Sequence, residues 1–433
     1  MTWNFHGFYT NTTEGLIAQL KLTEREEDGL KALRKQVRTR IKDVFNEAKQ
    51  LVILTKNEFS MQSLREQIST TKFRYLSPEE QKALTEIIMQ LDEDVRKDLL
   101  RLTPRFLTQG SFMYDTLNKP YKCPPQEMDI DDGAYLPMQF FEEKPAIGHT
   151  LLLLLVDTSL KSLVAENIGW RFEAKRTCGR IKIPSKNVHI DVPMYAIPYD
   201  EFVKKEAAVM ESANSQFSGM IFDSMYARDQ AIYEQIDSKY VNLAVRADDQ
   251  KWMISDPKYV YNWFQNVCAY HGKHVRKICR FLKAWRDAQW ENGGGPTSIS
   301  LMAAAVNVLE NNKVDTTDFG SIMQTVTEKL PDVYRSGVES PDESDERPLF
   351  PSLANHGDKE KEIVKKLEEL ADSLNKALDA ESKKDALSIL NSNFGDRVTN
   401  SDLIVYQAAA PAYLSEPERS KSSAVISKSM TSA

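Results

Sequence analysis

The sequence has 433 residues, more than one ordinary hydrophobic core accommodates, so we expect two domains. Its formal net charge is −7, from 56 basic and 63 acidic residues, which argues against a protein that wraps long nucleic acid over its whole surface. The four cysteines form no CxxC pair, a pattern typical of reduced thiols and not of a disulfide framework or a zinc site.

The first residues lack the basic and apolar regions of a signal peptide. The longest apolar run, at residues 151–156, is far shorter than the roughly 20 residues that span a bilayer. We therefore predict a cytoplasmic protein with no membrane partner.

A capping box formed by Thr23 and Glu26 predicts the start of a long helix. Basic residues, among them Arg38 and Lys42, fall on one face of this helix. That face is either a solvated basic surface or a regulatory or substrate-facing one. The opposite face carries apolar residues at helical spacing, which predict a buried stripe of Leu30, Leu33, Val37, Ile41, Val44, Ala48 and Leu51.

Helical and strand patterns alternate along the following 120 residues or so. Such an order favours an α/β or α+β half. The predicted elements are helices at 77–100 and 148–166 and strands at 127–138, 170–175, 180–183 and 188–194.

Strand signals fade beyond Tyr199, and helical periodicity dominates to about residue 410. Residues 336–351 are rich in Pro, Asp, Glu and Ser and predict a loop between helices. From Ser415 onward the apolar content is too low for folding, so we expect a flexible tail.

Three aspartates lie on predicted strands. Asp129 and Asp131 share one strand face because side chains alternate with period two, and Asp191 projects from the strand at 188–194. Carboxylates this close repel each other unless a cation lies between them, and Mg²⁺ prefers such oxygen ligands. The dipeptide Asp132-Gly133 favours a turn directly after the pair, so an exposed turn is the alternative interpretation.

A Gly110-Ser111 pair precedes Phe112, where the pattern indicates the first turn of a helix. Glycine permits close approach of the backbone, and a helix N-terminus offers free N–H groups to phosphate. Taken alone, Gly-Ser is usually an ordinary loop. Together with three carboxylates from neighbouring strands it predicts a two-metal site that handles phosphates.

The helix predicted at residues 273–290 has apolar residues on one side and basic residues on the other. The basic side is either solvated or directed at a ligand. In the second case Lys283 would bind phosphate as a point charge, and Ser298 would add a hydroxyl at the start of the next helix.

The pattern Gly110-Ser111, Asp129-x-Asp131 and Asp191 matches that of the polymerase-β-like nucleotidyltransferases. Longer segments resemble the cGAS-like dinucleotide cyclases (CD-NTases) of the Vibrio type, which make cyclic GMP–AMP. The resemblance covers nearly the whole chain and departs at residues 122–125 and 293–295, each run being one residue longer. The similar segments are TPRFLTQGSFMYDTLN, QEMDIDDGAY, CGRIKI, HIDVPMYAIP and CRFLKAWRDAQW.

The resemblance implies an α+β fold, in which a mixed-sheet nucleotidyltransferase lobe and a helical C-terminal lobe enclose the active site in a cleft. We place the catalytic lobe at residues 1–210, the helical lobe at 211–412 and the tail at 413–433. The implied reaction joins ATP and GTP into 3′,3′-cyclic GMP–AMP with release of two pyrophosphates. It uses two Mg²⁺ ions, for which Mn²⁺ can substitute, and its product is a second messenger in antiphage defence.

Residue roles follow from the same resemblance. Asp129, Asp131 and Asp191 would bind the metals and catalyse. Asp342 or Asp345, in the acidic loop, would accept hydrogen bonds from a guanine edge. The nucleotide-binding residues would be Gln109, Gly110, Ser111, Phe112, Tyr114, Arg180, Lys283, Ser298 and Asp345.

Two regulatory features are also implied. A folate-like inhibitor would bind at Arg34, Arg38, Lys42 and Arg105. A ubiquitin-transfer-like enzyme would conjugate the tail, while a downstream effector would bind the product and not this protein. The alternative function is a template-independent polymerase or tRNA-tailing nucleotidyltransferase with the same three carboxylates, which would need a basic RNA-binding stripe.

Overall fold

Two short helices, α1 (His6–Thr10) and α2 (Leu16–Leu20), precede the long helix α3 (Glu24–Leu54) in this computed structural model. The hydroxyl of Thr23 accepts a hydrogen bond from the Glu26 backbone, and the Glu26 carboxylate accepts one from the Thr23 backbone. The predicted capping box is therefore confirmed. All seven predicted stripe residues of α3 are buried. The structure describes residues 2–55, 60–138, 145–200, 203, 241–247, 251–342 and 347–407.

The single helix predicted at residues 77–100 is wrong. Two helices occupy this stretch, α5 (Pro78–Gln90) and α6 (Glu93–Arg101), after α4 (Met61–Thr70). The carboxylate of Asp92 accepts a hydrogen bond from the Val95 backbone and so starts a new helix.

Seven described strands form one mixed sheet, in the order β2-β3-β6-β5-β4, with β7 beside β6 and β8 beside β7. Only β3 and β6 run parallel; the other pairs are antiparallel. The strands are β2 (Arg105–Gln109), β3 (Met128–Met138), β4 (Arg171–Ala174), β5 (Cys178–Ile183), β6 (Val188–Pro198), β7 (Asn242–Ala244) and β8 (Trp252–Ile254).

The turn that Asp132-Gly133 favours does not form, because β3 continues through both residues. Its partner strand supplies the reason: Asp132 pairs with Thr108 and Gly133 with Leu107 in the antiparallel ladder. Arg38 on α3 also holds the buried Asp132 carboxylate with two hydrogen bonds, of 2.7 and 2.5 Å.

Helix α7 (Gly110–Met113) is a single turn between β2 and β3, and α8 (Pro145–Glu166) packs on α3 and on the sheet. The stretch Gly148–Glu166 has the length and hydropathy of a membrane span. However, 72% of its apolar window is buried inside the protein, as in the core helix of a folded domain.

A second hydrophobic core lies among the helices that follow the sheet. It also includes Trp3, Phe8 and Leu20 from the first twenty residues. A small strand pair, β1 (Trp3–Asn4) with β9 (Val405–Tyr406), closes this lobe. The helices are α9 (Pro257–His271), α10 (His274–Gln289), α11 (Ser298–Asn311), α12 (Phe319–Ser336), α13 (Asp358–Leu378) and α14 (Lys383–Phe394).

The α+β class with a helical C-terminal lobe is confirmed, but the division at residue 210 does not follow the packing at two places. The sheet extends to β7 and β8, where the sequence predicted only helices, and residues 3–20 belong to the helical core. Strands of three residues are too short to show an alternating pattern. Residues 337–342 and 347–351 form the predicted loop, with one bridge between Val338 and Phe350, whereas Ser336 ends α12. Residues 343–346, which include Asp345, and the tail at 413–433 lie outside the described residues.

Candidate active site

Three carboxylates meet where the two parallel strands lie side by side. Asp131 on β3 pairs in register with Asp191 on β6, and Asp129 pairs with His189 one step earlier. Ligand atoms of Asp129, His189 and Asp191 all lie within 4.8 Å of one another. Asp129 and Asp131 also line a cavity of about 560 Å³ between the sheet and the helical lobe. The predicted convergence of the carboxylates is therefore present.

The electrostatic cost of the cluster falls mainly on Asp131. Burial, with the charges of Asp129 and Asp191, raises the pKa of Asp131 to about 8. Burial also pushes the pKa of Asp129 upward, but His189 and Arg180 bring it below its ordinary value. A carboxyl whose pKa is raised by like charges is one that a bound divalent cation would return to the ionised state, so this donor set fits Mg²⁺.

Arg180 occupies the side of Asp191 that faces β5. Its guanidinium donates two hydrogen bonds to the carboxylate, of 2.6 and 2.7 Å, and the two residues are register partners on β5 and β6. This pair raises the pKa of Arg180 further above its usual value. The predicted contact of Arg180 with a nucleotide stays a prediction.

Gly110 is required where α7 approaches the cluster. Its φ is +63°, and a Cβ added there would lie 2.0 Å from Oδ2 of Asp131, so only glycine fits. Ser111 and Tyr114 follow it and line the cavity. The helix begins at Gly110 and spans one turn, so the start predicted at Phe112 is wrong.

Gln109 and Phe112 do not line the cavity. The amide of Gln109 donates to the hydroxyl of Tyr135 at 2.6 Å and accepts from Tyr195 at 3.3 Å. The Phe112 ring packs under the guanidinium of Arg34, 5.3 Å from its centroid. Both side chains thus pack against the protein on the side of the Gly110-Ser111 turn that faces away from the cavity. Their predicted contact with a nucleotide stays a prediction.

The opposite wall of the cavity comes from α10 and α11. Lys283 is buried, and its ammonium donates to the Thr116 carbonyl at 2.8 Å. Burial lowers the pKa of Lys283 to about 8. The solvated alternative for this face is wrong for Lys283 and for Arg280, since Arg280 is buried and binds the chain at Asp115 and Leu117.

Ser298 is the first residue of α11 and lines the cavity. Thr297 caps the helix, and the Ser298 hydroxyl accepts a hydrogen bond of 2.8 Å from Arg286. Arg286 itself was not predicted from the sequence, although it lies one turn beyond Lys283 on the same helix. Other cavity residues that were not predicted include Asn118, Gln126, Glu127, Asp287 and Trp290.

The residues predicted to bind a guanine edge and a folate-like inhibitor lie outside this cavity. Asp342 is described but does not line this cavity. Arg34 and Arg38 both donate to the Thr108 hydroxyl, at 2.7 and 3.1 Å, and the Lys42 ammonium lies 5.7 Å from the Phe106 ring centroid. Arg34, Arg38 and Lys42 therefore pack against β2 and β3, so the solvated interpretation is wrong for this part of the face. Lys31 and Lys35, on the preceding turns, are exposed as that interpretation expects. An inhibitor role, with Arg105 at the start of β2, stays a prediction.

Two family models match the chain. Residues 104–195 match "Cyclic GMP-AMP synthase DncV-like, nucleotidyltransferase domain", and residues 272–407 match "Cyclic GMP-AMP synthase, C-terminal domain". A cyclic GMP–AMP synthase of Vibrio cholerae is 53% identical over 100% of this chain and 99% of its own length. One from Escherichia coli is 49% identical over the full length of both chains.

Solved structures of the same family resemble this chain over nearly its whole length. The Vibrio cholerae synthase in complex with the linear intermediate 5′ pppA(3′,5′)pG has a TM-score of 0.86 and 52% identity, covering 94% of this chain and 100% of that one. A mutant of the same synthase with ATP, GTP and 5MTHFGLU2 has a TM-score of 0.87, 52% identity and the same coverage.

Proposed function

Since the chain belongs to the DncV-like cyclic GMP–AMP synthase family and is a nucleotidyltransferase, we propose that it joins ATP and GTP into 3′,3′-cyclic GMP–AMP with release of two pyrophosphates. The observation that carries this proposal is one cavity with Asp129 and Asp131 on its strand side and Lys283 and Ser298 on the opposite wall, with Asp191 the register partner of Asp131 on β6.

The carboxylate wall would hold two Mg²⁺ ions, and Mn²⁺ has the same preference for oxygen ligands. Asp129 and Asp131 would hold both ions, and Asp191 would complete the ligands of the ion that activates the attacking 3′-hydroxyl. When bound, such ions supply the charge that stabilises phosphate oxygens and lowers the pKa of the hydroxyl.

The remaining residues of the cavity hold the substrates. Gly110 and Ser111 present a backbone turn and a hydroxyl to the donor triphosphate, and Tyr114 lies beside them for contact with a base. Lys283 and Ser298 would bind the same triphosphate from the helical side, a point charge and a hydroxyl. Cyclisation then needs the linear dinucleotide to turn over, so that a single site performs both attacks.

The alternative is a template-independent polymerase or tRNA-tailing enzyme. Incubation with ATP and GTP, separately and mixed, in the presence of Mg²⁺ separates the two functions. We expect pyrophosphate release and a phosphatase-resistant product that needs both nucleotides. Extension of an added RNA, with no phosphatase-resistant product, would contradict the proposal and favour the alternative.

We further propose that the product is a second messenger of antiphage defence that a separate effector binds. We also propose that the enzyme is cytoplasmic, where both nucleoside triphosphates are abundant.

The resemblance also supports conjugation of the tail at 413–433 by a ubiquitin-transfer-like enzyme, and a folate-like inhibitor at the α3 face. Deletion of the last residues should abolish conjugation in a lysate; a conjugate that persists would contradict that proposal.

A further inference from the structure

The carboxylates of the cluster differ in how they are held. Arg180 fixes both oxygens of Asp191, whose side chain is only 12% exposed. Asp129 is 46% exposed at the edge of the cavity, although its Oδ1 is buried. A half-exposed carboxylate turns freely unless a neighbour restrains it, so Asp129 needs support that Asp191 already has.

His189 is placed to give this support. It is the register partner of Asp129 across the parallel strands, and its Nε2 lies 2.8 Å from Asp129 Oδ1. The approach is close but does not follow the N–H direction of a regular hydrogen bond. The contact therefore fixes Oδ1 against the imidazole and leaves the exposed part of the carboxylate directed at the cavity.

Glu127 fixes the other side of the ring. Nδ1 of His189 lies 3.0 Å from Glu127 Oε2, and the histidine side chain is only 12% exposed. Both ring nitrogens thus contact a carboxylate, one on each side, and the imidazole has a single orientation. The three residues form a chain that runs from Glu127, directly before β3, across to His189 on β6 and back to Asp129 on β3.

We propose that His189, anchored by Glu127, is a positioning residue that presents Asp129 to the divalent ion; the inference rests on the proposed two-ion site. Partners of metal-binding side chains fix the orientation of those ligands, and their loss typically costs about 10–100-fold in metal affinity. Although a His189 nitrogen lies within 4.8 Å of ligand atoms of Asp129 and Asp191, its two ring nitrogens already face Glu127 and Asp129. The bound ion therefore contacts Asp129, and His189 acts through Asp129.

A competing role predicts the opposite sign. If His189 served only as a positive charge that neutralises Asp129 in place of the ion, its removal would favour cation binding. Lys182 provides a comparison, because its ammonium lies 3.9 Å from Glu127 Oε2 and adds positive charge without touching Asp129. Metal affinity therefore distinguishes a positioning residue from a competing charge.

The test is titration of the full-length protein with Mn²⁺, following free ion by electron paramagnetic resonance, with a non-hydrolysable ATP analogue present. We expect His189→Ala to weaken Mn²⁺ binding about tenfold or more. His189→Gln should recover most of the affinity, because an amide of similar length keeps a polar group beside the same oxygen. The control Lys182→Gln should bind Mn²⁺ at least as tightly as the unaltered protein.

A double-mutant cycle shows whether Glu127 acts through His189. Glu127→Gln alone should weaken Mn²⁺ binding, and should add nothing when His189 is already alanine. Unchanged or tighter Mn²⁺ binding in His189→Ala, or additive losses in the double variant, would overturn the proposal. Should the alanine variant not fold, His189→Phe keeps the ring and removes both nitrogens, with the same expected loss.

These titrations are separate from the test of the overall reaction. Failure of the unaltered protein to form a cyclic product would defeat the proposed synthase function. The effect of His189 on Mn²⁺ affinity would still be measured in that case, since no turnover is needed.

Discussion

The cavity has a strand wall, with Asp129 and Asp131, and a helical wall, with Lys283 and Ser298, and the two walls bury charges of opposite sign. On the strand wall, burial and repulsion raise the pKa of Asp131 to about 8, and on the helical wall burial lowers the pKa of Lys283 to about 8. Burial is the largest cause of each shift, and the opposite charges within the chain, Arg180 and His189 near Asp131 and Asp287 near Lys283, do not offset it. Under the proposed function, a triphosphate with its divalent ions would supply the missing opposite charge to both walls.

The largest expected effect comes from removing the central charge of the strand wall. Asp131→Asn should lower kcat by roughly 10³-fold, since charge stabilisation by a bound ion contributes several kcal/mol. The folded state raises the Asp131 pKa, so the ionised carboxylate opposes folding above its unfolded pKa, and the variant should melt at a higher temperature at pH 7. Pyrophosphate release and calorimetry measure the two effects.

Asp94→Asn is the matched control for that variant, because the Asp94 side chain is 94% exposed and far from the cavity lining. It should change neither turnover nor melting temperature. Full activity in Asp131→Asn would show that the reaction does not need a negative charge on the strand wall, and would contradict the proposed ion site.

Next in size is the loss of the positive charge on the helical wall. Lys283→Met should reduce kcat/KM for the nucleotides by roughly 10–100-fold, the range for a hydrogen bond to a charged group. Lys283→Arg should restore little, because a planar guanidinium does not fit the place of a buried point charge that donates to Thr116. Steady-state kinetics at saturating Mg²⁺ check this, and rescue by arginine would show that charge alone suffices.

The pH dependence of ion binding probes the strand wall without mutation. Asp131 must lose its proton to bind a cation, so Mn²⁺ affinity should rise with pH until about pH 8 and level off above it. Between pH 7 and 8 the expected gain is less than about tenfold for one proton. Titrations at several pH values measure it, and Asp131→Asn should show a flatter profile.

The smallest effect is expected from Ser298→Ala, which removes one hydroxyl from the helical wall. KM for the donor nucleotide should rise about two- to tenfold, as for a single neutral hydrogen bond. Ser300 on the same helix is buried and contacts the hydroxyl of Tyr334 at 3.0 Å, outside the cavity lining. Ser300→Ala should therefore affect stability and leave KM unchanged; equal effects on KM would argue against a contact at Ser298.

The strand wall was predictable from sequence because period-two alternation decides which side chains share a face. Asp129, Asp131 and Asp191 came together as expected, and the capping box located the start of α3. Alternation decides only the faces of each strand; the parallel pairing of β3 with β6, which brings Asp191 beside Asp131, is a long-range contact that the family resemblance implied.

The helical wall was harder, because a helix pattern separates two faces without showing which one is buried. Arg280 and Lys283 look like residues of a solvated face, yet both are enclosed by the segment after α7. The inward turn of Gln109 toward Tyr135 and Tyr195 likewise depends on contacts distant in sequence. Tertiary packing, which no local pattern contains, determines these positions.

The pairing of β1 with β9 has a consequence for synthesis of the chain on the ribosome. Trp3 stacks on Tyr406 with ring centroids 4.3 Å apart and donates to the Ala380 carbonyl, so the earliest residues made find these partners only among the last of the described ones. The sheet domain is therefore inserted in sequence within the helical domain. It can fold before residues 3–20 find their packing partners. A truncation before residue 405 would remove the strand partner of residues 3–4 and the Tyr406 ring from Trp3, and would leave the packing of Phe8 and Tyr9 on Phe281 and Phe394 in place.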